Sequence, residues 1–289
     1  MQFSKKALIF GIDSFSGSYL KQSFENKGIE VYGTTFSDKT NLSYCDITSY
    51  SNCAKFIKTI KPDYVVNLAG ISFVPYSDYT QIYDVNFNGA INILKACEEY
   101  VPYSKLLLVS SGQIYAPSSD AINELYELKL SNHYAVSKYS MERVAVLSNH
   151  SVKIVRSFNY TGVGQESKFL IPKIVSHYRA GQRSITLGDI DVVRDFSDVR
   201  DVVEAYLSIL FSNSSKQIFN VCSNKTHSIA EILSFLNSEC SYEMNVDQSV
   251  KFMRSDIVRS VKGNNSRLKE LGWNAKYSFF DTLKWMLHA

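Results

Sequence analysis

The chain has 289 residues, with 31 basic and 28 acidic side chains, a formal charge of +3, 45% hydrophobic and 13% aromatic residues. At roughly 150 residues per domain that length means one large domain or two fused ones, and a core of this size needs no disulfides. The aromatic content excludes an intrinsically disordered chain, and the near-balanced charge excludes the concentrated basic patch of a nucleic-acid binder.

Apolar run 7–11 reads as a fully buried strand, and a helix follows from about Ser16 to Lys27, ended by Gly28. Residues 29–34 form a second strand, 50–60 a helix, and Tyr64 to Ala69 a strand after Pro62-Asp63. A helix near 82–100 leads through Pro102 to a strand at 105–110, and a helix near 134–148 precedes a strand at 152–158. Strands buried on both faces and alternating with helices predict an α/β fold, a Rossmann-type doubly wound parallel sheet with helices on each side. After Phe158 the pattern loosens into shorter elements, as expected of a smaller mixed α/β substrate lobe. Residues 1–156 are therefore expected as one domain, with a returning segment near 192–212, and 157–289 as a partly interleaved lobe.

Five cysteines (Cys45, Cys53, Cys97, Cys222, Cys240) form no CxxC, and reduced thiols in a cytoplasmic protein are expected. The opening apolar run is too short for a signal peptide, and no stretch approaches the ~20 residues of a membrane span. Neither a membrane nor a nucleic-acid partner is expected. The five histidines show no ligand spacing, so no metal is expected either.

Between the first strand and helix lies Gly11-Ile12-Asp13-Ser14-Phe15-Ser16-Gly17. Glycines suit a turn whose backbone approaches a pyrophosphate lying on the helix N-terminus. The second strand ends Thr34-Thr35-Phe36-Ser37 without an acidic residue to grip the ribose 2′-hydroxyl of NAD. That gap leans towards NADPH, with NADH as the alternative and Ser37 and Lys39 as phosphate contacts. Asp46-Ile47, after a third strand, is expected either at the adenine or capping the next helix.

Tyr134-Ala135-Val136-Ser137-Lys138 sets a phenol and an ammonium one helical turn apart on one face. One such pair in a chain with 19 tyrosines is what chance supplies, so context decides. The strand at 105–110 ends in Ser110-Ser111-Gly112-Gln113, which brings a hydroxyl to the carboxyl end of a central strand. The three groups suit hydride delivery to a ketone. Ser111 polarises the carbonyl, Tyr134 protonates the alkoxide, and Lys138 holds the nicotinamide ribose while lowering the tyrosine pKa.

With these motifs the chain resembles the extended short-chain dehydrogenase/reductase family, from the glycine turn to the final Leu271-Gly272-Trp273. Gly11, Phe15 and Gly17 match the family's turn, whose middle glycine is Ser14 here. Asn67-Leu68-Ala69-Gly70 is similar to the segment lining the cofactor, and Val85-Asn86 with Gly89 and Asn92 to the helix-stabilising one. The run Val155 to Gln165, with Gly188-Asp189, the stretch Val193 to Asp201, and Arg254-Ser255-Asp256, resembles the family's GDP-sugar enzymes. The resemblance implies that Asn159 and Arg194 contact the nucleotide-sugar and that Arg254 binds the diphosphate. Ser72, Gly112, Gln113 and Lys173 complete the expected substrate contacts, and Ser110 joins the cofactor residues.

Within that group a 4,6-dehydratase carries an extra carboxylate at the position of Gln113, and glutamine has no proton to exchange. Reduction of a GDP-linked 4-keto-6-deoxy sugar, hexose or 6-deoxy-heptose, is therefore expected. A dehydratase or epimerase reaching the site with Glu124 or Glu127 is the alternative, and a catalytically inactive dinucleotide-binding sensor or scaffold is a further one. The helices near 82–100 and 134–148 are apolar around more of their circumference than sheet packing needs. Relatives pair such helices in a four-helix bundle, which implies a homodimer.

Overall fold

In a computed structural model of the chain, which describes residues 5–37, 43–72, 77–118, 120–249 and 260–289, the apolar runs of the first half become one parallel sheet. Its strands in chain order are β1 (Lys6–Phe10), β2 (Glu30–Thr35), β3 (Ser43–Tyr44), β4 (Tyr64–Asn67), β5 (Lys105–Ser111), β6 (Ser151–Ser157) and β7 (Ile218–Val221). They lie side by side in the order β7-β6-β5-β4-β1-β2-β3. The order reverses between β1 and β4, where Phe10 pairs with Asn67 at the carboxyl ends. In such sheets this switch point is where a crevice opens and ligands bind.

Side chains alternate faces along a strand, so each central strand feeds two cores. Ala7 and Ile9 of β1 pack with Leu20 and Phe24 of helix α1 (Phe15–Glu25) and with Tyr206 and Ile209 further on in the chain. Leu8 and Phe10 pack instead on Ile57, Ile93 and Met141. These come from α2 (Tyr50–Ile60), α3 (Ala90–Tyr100) and α4 (His133–Leu147). A fifth helix, α5 (Val199–Phe211), supplies Tyr206 and covers the same face as α1.

One helix departs from expectation. The segment expected as a single helix from Ile82 starts at Tyr79, and a π-helical turn, Asp84–Gly89, precedes α3. Asn86, 1% exposed, turns inward there. Its Nδ2 donates to Ile71 O at 3.0 Å, and its Oδ1 accepts from Ile71 N at 2.8 Å. A widened turn is the usual way a helix redirects one functional side chain.

The second half forms a mixed sheet from 159–161, 193–198, 226–228, 260–263 and the short strand 121–122. A separate core of Ile174, Leu187, Phe196, Ile232 and Leu283 holds it together. The strand Val193–Asp198 runs directly into α5, so the two halves are joined covalently at a packed helix. Among the described residues no helix is long and apolar enough to cross a membrane. The five cysteines are free thiols, all but Cys240 buried.

Candidate active site

The turn after β1 is held by backbone. Gly11 and Ile12 donate their N–H groups to Thr34 O at 2.9 and 3.0 Å. Gly11 has φ +79°, and a Cβ there would stand 2.8 Å from Ala69 N. A Cβ on Gly17 would lie 2.3 Å from Ile12 O. The loops after β1 and β4 therefore touch through main chain alone, with Leu68 and Ala69 N–H both bonded to Phe10 O. Ser14 occupies the N-cap of α1 in extended conformation but makes no capping bond. Its buried Oγ has no partner among the described residues, and neither has Ser110 Oγ at the end of β5. A buried hydroxyl without a partner costs free energy. Two of them beside the switch point, with an uncovered helix N-terminus, fit a site that an anionic, hydroxyl-bearing dinucleotide completes.

The other residues expected around a cofactor fall on either side of that turn. Phe15 stacks on Tyr160, centroids 5.9 Å apart and 11° between planes, which ties the turn to the second half. Asp13 accepts a hydrogen bond from the Thr35 hydroxyl, and Ser37 N–H donates to Thr35 Oγ1 at 3.0 Å. Asp46 caps the turn before α2, its Oδ1 accepting from Thr48 N at 2.9 Å and Thr48 Oγ1 at 2.7 Å. Ile47 is buried, and Asn92 Nδ2 donates to its carbonyl at 3.0 Å. Lys39 lies outside the described residues.

Helix α4 begins with Asn132 as N-cap, its Oδ1 accepting from Ala135 N at 2.8 Å. That start places Tyr134 and Lys138 against the carboxyl end of β5. Ser111, Tyr134 and Lys138 are all buried. Lys138 Nζ donates to Val109 O at 2.9 Å and lies 5.9 Å from the Tyr134 ring centroid. Gly70 borders the group, since a Cβ there would stand 3.3 Å from Lys138 Nζ. Ser111 Oγ accepts from Gln113 N at 3.1 Å and hydrogen-bonds with the Tyr134 phenol.

The expected lowering of the Tyr134 pKa by Lys138 is not what the site does. Burial pushes the phenol up to about 12, against the hydrogen bond with Ser111. Burial also brings the Lys138 ammonium down to about 8, with the Glu142 carboxylate pulling the other way. Each group loses more by leaving water than it gains from the other, so the phenol stays protonated at neutral pH.

Behind Lys138 lies a pair that the sequence reading missed. Arg156 donates Nε to Glu142 Oε1 at 3.0 Å and a terminal nitrogen to Oε2 at 2.7 Å, with side chains 5% and 1% exposed. The guanidinium also donates to Tyr115 OH at 2.9 Å and Glu124 O at 3.0 Å. The i, i+4 spacing of Lys138 and Glu142 was its one available signal.

The expected substrate residues are more dispersed. Gly112 packs under Phe158, 3.1 Å from a would-be Cβ, and Gln113 is exposed. Exposed Ser72 follows the Gly70-Ile71 loop. Asn159 Nδ2 donates to Asp195 O at 3.3 Å, and half-buried Arg194 donates to Val193 O at 2.8 Å. Lys173, on the helix Leu170–Arg179, donates to Thr186 O at 2.7 Å. Arg254, with Ser255 and Asp256, lies outside the described residues. Glu124 is committed elsewhere, its Oε1 accepting from Asn220 N at 2.8 Å and its Oε2 lying 3.3 Å from Arg267 Nε.

A doubly wound parallel sheet with a glycine turn at its switch point defines a dinucleotide-binding α/β protein. Residues 7–222 match the NAD dependent epimerase/dehydratase family, and the chain belongs to that family, of the extended short-chain dehydrogenase/reductase type. The chain is 29% identical over 268 residues to GDP-6-deoxy-D-talose 4-dehydrogenase of Aggregatibacter actinomycetemcomitans, covering 91% of this chain and 90% of that one. It is 31% identical over 241 residues to GDP-6-deoxy-D-mannose reductase of Pseudomonas aeruginosa, covering 78% and 79%. The solved structure of RMD from Pseudomonas aeruginosa, complexed with NADPH, superposes with a TM-score of 0.85 at 26% identity, covering 99% of this chain and 97% of that one. Fold and family together make the chain an NAD(P)-dependent oxidoreductase.

Proposed function

We propose that the protein reduces the 4-keto group of a GDP-linked 4-keto-6-deoxy sugar, a hexose or a 6-deoxy-heptose, with a reduced nicotinamide dinucleotide. The observation that carries this reading is the burial of Ser111, Tyr134 and Lys138 together at the carboxyl end of β5. The turn from Gly11 to Gly17, with Gly70 and Ser110, would hold the dinucleotide, which supplies the hydride when bound. Ser111, which accepts from Gln113 N–H and hydrogen-bonds with the Tyr134 phenol, would turn its hydrogen to a carbonyl oxygen when substrate is bound. Tyr134, neutral and shielded from water, gives its proton to the alkoxide. Lys138 spends one of its three N–H donors on Val109 O and keeps two for ribose hydroxyls.

The names of both relatives support the substrate class, since each acts on a GDP-linked 6-deoxy sugar. A dehydratase needs a further acid/base at C5 and C6. Gln113 has no such proton, Glu127 is exposed, and Glu124 is engaged with Asn220 and Arg267. In this reading the seven-stranded sheet serves the dinucleotide and the second half, with Asn159, Arg194 and Arg254, serves the nucleotide-sugar. The deciding experiment follows nicotinamide absorbance with fresh GDP-, dTDP- and UDP-4-keto-6-deoxy sugars. Stoichiometric oxidation with the GDP sugar, giving a new C4 hydroxyl, is expected. Loss of water from a GDP-hexose without net nicotinamide oxidation overturns the reading.

A further inference from the structure

The carboxyl end of β2 carries no acidic side chain of its own, and the expectation of NADPH rests on that gap. The fold fills it from the glycine turn. Asp13 Oδ2 accepts a hydrogen bond from the hydroxyl of Thr35, the last residue of β2 and only 1% exposed. Ser37 N–H donates to the same hydroxyl oxygen at 3.0 Å, which orients the hydroxyl hydrogen away from it and towards Asp13. The N–H groups of Gly11 and Ile12 latch the turn to Thr34 O, so the carboxylate is carried to the strand end by main chain and side chain alike. Asp13 itself is exposed. No lysine or arginine occurs among the described residues 30–37 and 43–49 that could offset it.

We infer that Asp13 selects NADH over NADPH by taking the place of the missing acidic residue at the end of β2. In a sheet of this kind the adenosine ribose lies at that strand end. A carboxylate there accepts from a 2′-hydroxyl but repels a 2′-phosphate, which brings close to two further negative charges. The inference rests on reading the turn as a dinucleotide site, and it departs from the NADPH bound by the Pseudomonas neighbour.

Equilibrium titration of the purified chain with each reduced dinucleotide, followed by nicotinamide fluorescence and without sugar, tests it. The wild type is expected to bind NADH at least about tenfold more tightly than NADPH. Asp13→Asn is expected to weaken NADH, strengthen NADPH and shrink the ratio by about tenfold or more. Thr35→Val, which frees the carboxylate to swing away, is expected to move the ratio in the same direction by less. A wild-type preference for NADPH overturns the inference whether or not the variants fold. So does an Asp13→Asn variant that loses both affinities by the same factor, which would make Asp13 a shaper of the turn alone. Failure of both dinucleotides to bind overturns this inference and the proposed function together. Tight NADH binding without sugar reduction overturns only the proposed function.

Discussion

Replacing Gly11 with alanine should cost stability through two separable effects. The first is conformational, because φ is +79° and an L-residue in that region loses about 1–2 kcal/mol. The second is steric, because the new Cβ would lie 2.8 Å from Ala69 N and 3.0 Å from Ala69 Cα. Those are main-chain atoms, which cannot rotate aside as a flexible side chain would, and overpacking of that kind costs about 1–3 kcal/mol. The sum is about 2–5 kcal/mol. Gly164 supplies the control, with φ +88° but nothing within 4 Å of its would-be Cβ. Gly164→Ala should therefore lose only the first part, about 1–2 kcal/mol. Urea unfolding of both variants with equal m-values reads the difference. Equal destabilisation would refute the reasoning, because the loop after β4 would then be giving way instead of clamping the turn.

Four further outcomes are expected. Tyr134→Phe should lower turnover by roughly 10²–10⁴ while dinucleotide affinity, measured by fluorescence, stays within a few fold. Because Lys138 is held down to about 8, its ammonium is the main form below that pH and is lost above it. Dinucleotide affinity should accordingly fall between pH 7 and pH 9, and a flat profile would contradict the assigned role. Glu142→Gln leaves the Arg156 guanidinium buried without its counter-charge and should cost about 3–5 kcal/mol in chemical denaturation. Sedimentation at micromolar concentration should show a homodimer paired through α3 and α4, whereas a monomer would exclude the four-helix bundle.

The parts of the fold that were readable are those whose cause is local. Burial on both faces makes 7–10, 64–67 and 105–111 continuous apolar runs, and the helices between them follow from period and stop signals. What escaped depends on distant partners. β7 contains Asn220, a polar residue in a four-residue strand, and it is buried because Nδ2 donates to Ile122 O across 98 positions. The π-helical turn before α3 follows from the bonds of Asn86 to Ile71, which no helical periodicity contains. The site divides the same way. Ser111, Tyr134 and Lys138 could be assembled from a strand end and a helix face, whereas the Asp13–Thr35 bond joins a turn to a strand end 22 positions away. Arg156 was legible only as part of the run Val155 to Gln165, because its pairing with Glu142 joins a strand to a helix 14 positions away.

Burial at this site also bears on the direction of the chemistry. Oxidation of an alcohol needs a phenolate as base, whereas reduction of a ketone needs a phenol as acid. With burial holding the Tyr134 phenol up to about 12, the phenol and not the phenolate is the resting form at pH 7. Lys138 cannot reverse this by charge alone, because the same desolvation that raises the phenol weakens the ammonium. Glu142 keeps the ammonium from falling further, and Arg156 holds the Glu142 carboxylate in place through its Nε and a terminal nitrogen. A single row of buried charges running from β6 through α4 thus ends in a cation beside a neutral acid. Oxidation by this site therefore requires raised pH or a bound ligand that stabilises the phenolate, and its rate should climb with pH through a range in which reduction does not.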